Sequence, residues 1–212
     1  MTTDSASPSA EFWEPRFRHG DPNWGREPNA RLTAILPGLS LRPGLALDLG
    51  CGHGGDALWL AFLGWHVTAT DVSATAVCRV AATAMERELR DRVTAERHDL
   101  SRTLPEGTFH LVYACYFHSP VPLDRDRILR DAAARVRRGG CFVLIDHGSA
   151  APWSWRPNGR EPEFPTPTET LVGLALDPGG RAELCERAEW VATGPDRHTA
   201  TVVDNVIVLR RA

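Results

Sequence analysis

The sequence predicts an α/β fold: a seven-stranded, mostly parallel sheet with helices on both faces and an antiparallel hairpin at one edge. Three observations predict it. Short apolar runs alternate with stretches of helical spacing, the pattern of β-α-β units. The first of these runs leads straight into a glycine-rich turn, Gly50-Cys51-Gly52-His53-Gly54-Gly55. The chain ends on a β-branched run, TVVDNVIVL, suited to an extended strand.

The elements follow in order. Phe12 to Leu36 is expected to form one or two covering helices, stopped by Pro37-Gly38. Leu45 to Leu49 is the first strand, and after the glycine turn Asp56 to Leu63 takes helical spacing until Gly64. Trp65 to Thr70 is a second strand ending at Asp71. Ser73 then suits the N-cap of an amphipathic helix reaching about Arg90. Val93 to Arg97 is the third strand. Phe109 to Tyr116 is the fourth, nearly all apolar and therefore central. A helix over Asp124 to Arg138 closes at Gly139-Gly140, and Cys141 to Asp146 is the fifth strand. Gly148 to Thr168 is rich in Pro, Trp and Gly and reads as a surface loop, a candidate lid carrying Trp153, Trp155 and Phe164. Arg181 to Thr193 fits helix or strand. Thr201 to Leu209 is a strand, and Pro195-Asp196 between them suggests a hairpin.

Composition narrows the function. The 212 residues suit one domain spanning 1–212, and 42% hydrophobic with 24% charged residues is ordinary for a globular chain. No apolar run reaches the roughly 20 residues of a membrane span. The opening Met1 to Pro8 lacks the features of a signal peptide, so a cytoplasmic location is expected. The five cysteines are scattered without a CxxC pair and read as reduced thiols. All 24 basic residues are Arg, but they are interleaved with acids at a net charge of -3, which argues against nucleic acid. The oligomeric state is not legible.

The glycine turn matches GxGxxG, with Asp71 lying 19 residues beyond Gly52, where a carboxylate meets a ribose. This spacing serves a dinucleotide or S-adenosylmethionine (SAM). Asp48 separates the two: an acid at the strand end suits a ligand with a sulfonium and an ammonium, and repels a pyrophosphate. Singly, Asp71 with Ser73 could form a mere turn and cap, and Asp99 a solvated loop. Their joint spacing favours a site. Cys51 fits as a small buried side chain rather than as a nucleophile.

The run LDLGCGHGGDALWLA, then VTATDVS, HDL and FHLVYACYFHS resembles a class I SAM-dependent methyltransferase over roughly residues 12 to 147, with its Rossmann-like sheet. The leading FWEPRFRHGDPNW and EPN are similar to the N-terminal element of the tellurite-resistance and thiopurine methyltransferase group, where an aromatic residue covers the cofactor. The resemblance implies that Gly50, Cys51 and Gly52 lie against the amino-acid part of SAM, with Asp48 towards its ammonium. It implies that Asp71 holds the ribose hydroxyls, that Val72, Asp99 and Leu100 serve the adenine, and that Cys115 with Tyr116 lies beneath the methionine; Ser73, next to Asp71, is counted with the cofactor-binding residues. Trp24 would close the opposite side.

His118 and His147 follow the fourth and fifth strands, where open α/β sheets bind ligands, and with Tyr116 they are the candidate catalytic residues. For each histidine a loop-bonding structural role is the alternative. The expected activity is methyl transfer to S, N or O of a small molecule, without a metal, because Asp146 has no recognisable companion acids. The fourth strand ends without the Asn/Asp-Pro-Pro-Tyr pattern of adenine-amino methyltransferases. The alternatives are an NAD(P)-dependent oxidoreductase on the same glycine turn and a SAM-binding regulatory protein without transfer.

Overall fold

A computed structural model of the chain describes residues 7–21, 25–154, 162–174, 180–194 and 197–212. These build a seven-stranded sheet in the order β3-β2-β1-β4-β5-β7-β6. Strands β1 (Leu45–Leu49), β2 (His66–Asp71), β3 (Val93–Arg97), β4 (Phe109–Cys115) and β5 (Val136–His147) run parallel. The long hairpin of β6 (Gly180–Thr193) and β7 (Thr199–Arg211) adds antiparallel to β5. The Arg181 to Thr193 ambiguity thus resolves as strand, because the whole segment pairs along β7.

Alternation on the strands sorts the core into two layers. Leu111, Tyr113, Val143 and Ile145 pack under α2 (Ala30–Ile35), α3 (Gly55–Phe62) and α4 (Ala74–Glu86). Val112, Ala114, Phe142 and Leu144 pack under α5 (Arg125–Ala133) and the end of α6 (Pro167–Gly173). The apolar fourth strand is central, as its composition requires. Chain order reverses between β1 and β4, and ligands of open α/β sheets bind at that switch, beyond the carboxyl ends of the strands.

Several boundaries differ from the sequence reading for local reasons. The N-terminal helix α1 runs Pro8–His19, starting before Phe12, because Ser7 caps it by accepting from the Ala10 N–H and Pro8 sits in its first turn. The helix expected through Arg138 ends at Ala133. Val136 is buried and pairs with Phe109, so the chain is already extended there, and Gly139 at φ 75° carries the accompanying register shift. Helix α4 stops at Glu86, where Glu88 turns left-handed at φ 59°. Helix α6 falls at the end of the expected loop. Its signature was present: Thr166 and Glu169 form a capping box around Pro167. No helix of the described residues is long and apolar enough to cross a membrane.

The turn after β1 depends on glycine where α4 presses on it. Gly54 has φ 81°, and a Cβ there would lie 2.7 Å from the Val80 side chain. Gly54→Ala therefore combines left-handed strain with overpacking, together about 2–4 kcal/mol. Thermal unfolding should show Tm lowered by roughly 5–10 °C.

Candidate active site

Backbone bonds fix the shape of the glycine turn. The N–H groups of Gly50 and Cys51 both donate to the Thr70 carbonyl, at 2.9 and 2.8 Å, which ties the end of β1 to the end of β2. Gly52 N–H donates to Asp71 Oδ2 at 3.0 Å, and Ser73 N–H to Asp71 Oδ1 at 2.9 Å. One carboxylate thus joins the turn to the N-terminus of α4.

Three carboxylates crowd this turn. Asp48 is 3% exposed at the end of β1, Asp71 is 6% exposed, and Asp56 accepts from the Asn29 N–H at 2.6 Å. Burial pushes all three up. Asp48 lies well above the carboxylate range, with Asp56 and Asp71 adding repulsion; Asp56 is raised; Asp71 is raised to about 6. The ion pairs among the described residues include none of them. Desolvated carboxylates without a protein cation suit a cationic ligand.

Helix α1 roofs this end. Glu14 reaches down to the first turn of α4, accepting from Ser73 Oγ at 2.6 Å, Thr75 Oγ1 at 2.6 Å and Thr75 N–H at 3.2 Å. Slight burial opposes ionisation, but these donors outweigh it and hold the Glu14 carboxyl down at about 2. Arg79 donates to the Phe17 carbonyl at 2.6 Å, so both halves of α1 are tied to α4. Phe12, Trp13 and Phe17 consequently face the cavity.

At the carboxyl ends of β4 and β5, aromatic rings replace the acids. Tyr116 is left-handed at φ 55°, an uncommon conformation for a bulky residue. Its ring stacks on His147 at 4.0 Å, and His147 stacks on His118 at 5.8 Å. Phe164 meets both imidazoles from the side. The Tyr116 hydroxyl donates to Asp204, a buried carboxylate of β7 that also pairs with Arg31 at 3.7 Å. Asp146 is bonded by Arg125 and lies 3.3 Å from His118 Nε2. Burial lowers His118 and His147 to about 4 each, helped by Arg125 for His118 and by His118 for His147. Both imidazoles are neutral at pH 7.

One cavity of 1020 Å³ joins the two ends. It is lined at the turn by Asp48, Gly50, Cys51 and Gly52, and beyond β2 and β3 by Asp71, Val72, Asp99 and Leu100. Cys115, Tyr116, His118 and His147 line the far end. Residues 46–140 match the family described as methyltransferase domain.

That match runs from β1 through the glycine turn into β5, so this part of the chain resembles a methyltransferase domain.

The chain is 37% identical over 133 residues to the ribosomal RNA small subunit methyltransferase C of Alcanivorax borkumensis, a match covering 61% of this chain but 39% of that protein's length. The chain thus spans well under half of that curated relative. The solved structure reported for conversion of a disulfide bond into a thioacetal group during echinomycin biosynthesis is similar at TM-score 0.72 and 23% identity, covering 95% of this chain and 92% of the other. TehB from Haemophilus influenzae is similar at TM-score 0.65 and 15% identity, covering 87% and 62%. Both likenesses are of fold.

Within this fold, two of the sequence-derived site residues stand apart. Ser73 is fully buried, caps α4 by accepting from Ala76 N–H and donates to Glu14, and it does not line the cavity. Trp24 lies outside the described residues, as does Trp155 with the middle of the candidate lid. Trp153 lines the cavity and rests flush on Gly194, where a Cβ would lie 2.3 Å from its indole. Asp99 is engaged locally: Ser101 donates to it, and Arg102 pairs with it at 3.4 Å. Burial alone would raise its pKa, but these partners together with Ser7 pull it down.

Sequence reasoning missed Glu14, Asp56 and Asp204. Asp204-Asn205 inside an otherwise apolar strand was the legible signal, since a buried polar pair there requires partners. Glu14 gave none, because its partners on α4 lie 59 to 61 residues away. Glu14→Ala should release α1, at a cost of about 1–2 kcal/mol. Hydrogen exchange would register this as faster exchange in residues 10–19 with β1 and β4 unchanged.

Proposed function

We propose that this chain transfers a methyl group from S-adenosylmethionine to a nucleophilic sulfur, nitrogen or oxygen of a small molecule. The observation that carries the reading is the division of one cavity into an acidic half at the glycine turn and a neutral, aromatic half at the ends of β4 and β5. When bound, S-adenosylmethionine supplies an electrophilic methyl carbon on a cationic sulfonium.

The chain's own residues divide the work. Asp48 would accept from the ammonium, the Gly50–Gly52 backbone would lie against the amino-acid part, and Asp71 would accept the ribose hydroxyls. Val72 and Leu100 would pack on the adenine, with Asp99 accepting from its amine through what capacity Ser101 and Arg102 leave. Cys115 and Tyr116 would lie under the methionine. Ser73 would act indirectly, by holding Glu14 and with it the roof. His118 or His147 would take a proton from the acceptor, and the aromatic half would align it. A net charge of -3 and a pocket of this size favour a small acceptor over nucleic acid.

The reading is tested by titrating SAM against NAD(H) and by assaying release of S-adenosylhomocysteine over a panel of thiols, phenols and ring nitrogens. Tight NAD(H) binding would favour the oxidoreductase alternative, and SAM binding with no turnover on any acceptor would favour a regulatory protein. Asp71→Ala should weaken SAM binding by roughly 10–100-fold, and Asp99→Ala by less, because Asp99 is more exposed and already engaged.

The pH dependence has a definite sign. Hydroxyl donors favour the ionised Asp71, whose pKa in the free protein is about 6. SAM affinity should therefore fall as pH drops through 6, with protons released on binding near that pH, which calorimetry in buffers of different ionisation enthalpy would read.

The candidate bases titrate lower. Because His118 and His147 sit at about 4, kcat should show no histidine limb between pH 8 and 6. His118→Ala or His147→Ala should lower kcat by roughly 10²–10⁴-fold with SAM affinity intact if that residue is the proton acceptor. Near-normal kcat in both variants would leave alignment alone as the source of rate.

A further inference from the structure

The aromatic half of the cavity carries a charge pattern that selects its occupant. Its two buried carboxylates are both answered from within the chain: Asp146 by Arg125, and Asp204 by Arg31 and the Tyr116 hydroxyl. Its two imidazoles are uncharged at neutral pH. Glu163 also lines the cavity, but it is exposed to solvent. Among the described residues, no buried ion at this end is left for a charged acceptor to pair with. The contrast with the three carboxylates at the glycine turn, which have hydrogen bonds but no cation among the described residues, lies within one continuous cavity.

The rings that form this half are organised. Tyr116 and His147 are nearly parallel, 12° apart, and His118 and His147 are 15° apart. Phe164 closes the stack edge-on to His118, at 62°. Offset or edge contact with such faces is how a flat ring gains beyond simple burial.

Resting on the methyl-transfer reading above, we propose that the acceptor site takes an uncharged, planar aromatic or heteroaromatic ring, seated against the Tyr116–His147–His118 stack beneath Trp153 and Phe164. A charged acceptor would lose its hydration here without gaining a counter-charge, which disfavours simple amino acids, oxyanions and phosphate esters. The ring's reacting atom belongs at the boundary between the two halves, beside Cys115 and Tyr116.

Three probes with one ring system and different charges test this: quinoline, N-methylquinolinium and quinoline-2-carboxylate. They are titrated into the full chain at neutral pH by calorimetry and tryptophan fluorescence, with and without S-adenosylhomocysteine. Quinoline should bind at least ~10-fold more tightly than either ion. His147→Leu should lose most of that binding and His147→Phe should keep it, while S-adenosylhomocysteine affinity stays constant. Equal or tighter binding of an ion, no quinoline binding, or identical behaviour of the two His147 variants would each overturn the proposal. Failure of S-adenosylhomocysteine itself to bind would count against the methyl-transfer reading alone, since the ring preference is also read without it.

Discussion

Three carboxylates held out of water around one turn are the constraint on which the rest of the site depends. Asp48, Asp56 and Asp71 converge because β1 and β2 end side by side and the glycine turn folds back between them. Burying even one carboxylate without a cation is costly, and here all three are shifted towards their protonated forms. The fold tolerates this through hydrogen bonds: Gly52 and Ser73 N–H groups on Asp71, and the Asn29 N–H on Asp56. Each of these bonds also recruits another segment to the site. Asn29 brings the start of α2, and Ser73 brings α4 and, through Glu14, α1.

The far end of the cavity solves the opposite problem. Arg125 and Arg31 reach in from separate helices to answer Asp146 and Asp204, and the aromatic rings stack where the charges have been cancelled. The strained backbone of Tyr116 belongs to this arrangement. Its N–H donates to the Ile145 carbonyl at 2.7 Å while its hydroxyl reaches β7, so one residue spans three strands. The two halves therefore differ in electrostatics although they share β4, whose Cys115 is hydrogen-bonded to Asp56 and whose next residue faces Asp204.

The sheet, its central strand, the glycine turn and the carboxylates at positions 48 and 71 are legible in the sequence, because each is written in local periodicity or in spacing within one β-α-β unit; Asp99 entered only through the resemblance. The sequence marked Tyr116, His118 and His147 as strand-end residues, and it carried the Thr166–Glu169 capping box of α6. Long-range packing alone places Ser73 behind the cavity, brings Asp56 into the acidic cluster and makes Glu14 fasten the roof. The same holds for the neutrality of the aromatic half, where Arg31 and Asp204 meet across 173 positions of chain. The physical reason is common to all of these. A hydrogen bond or ion pair between distant segments leaves no periodic trace in either one, and a pKa follows from burial and neighbours that exist only once the sheet has brought them together.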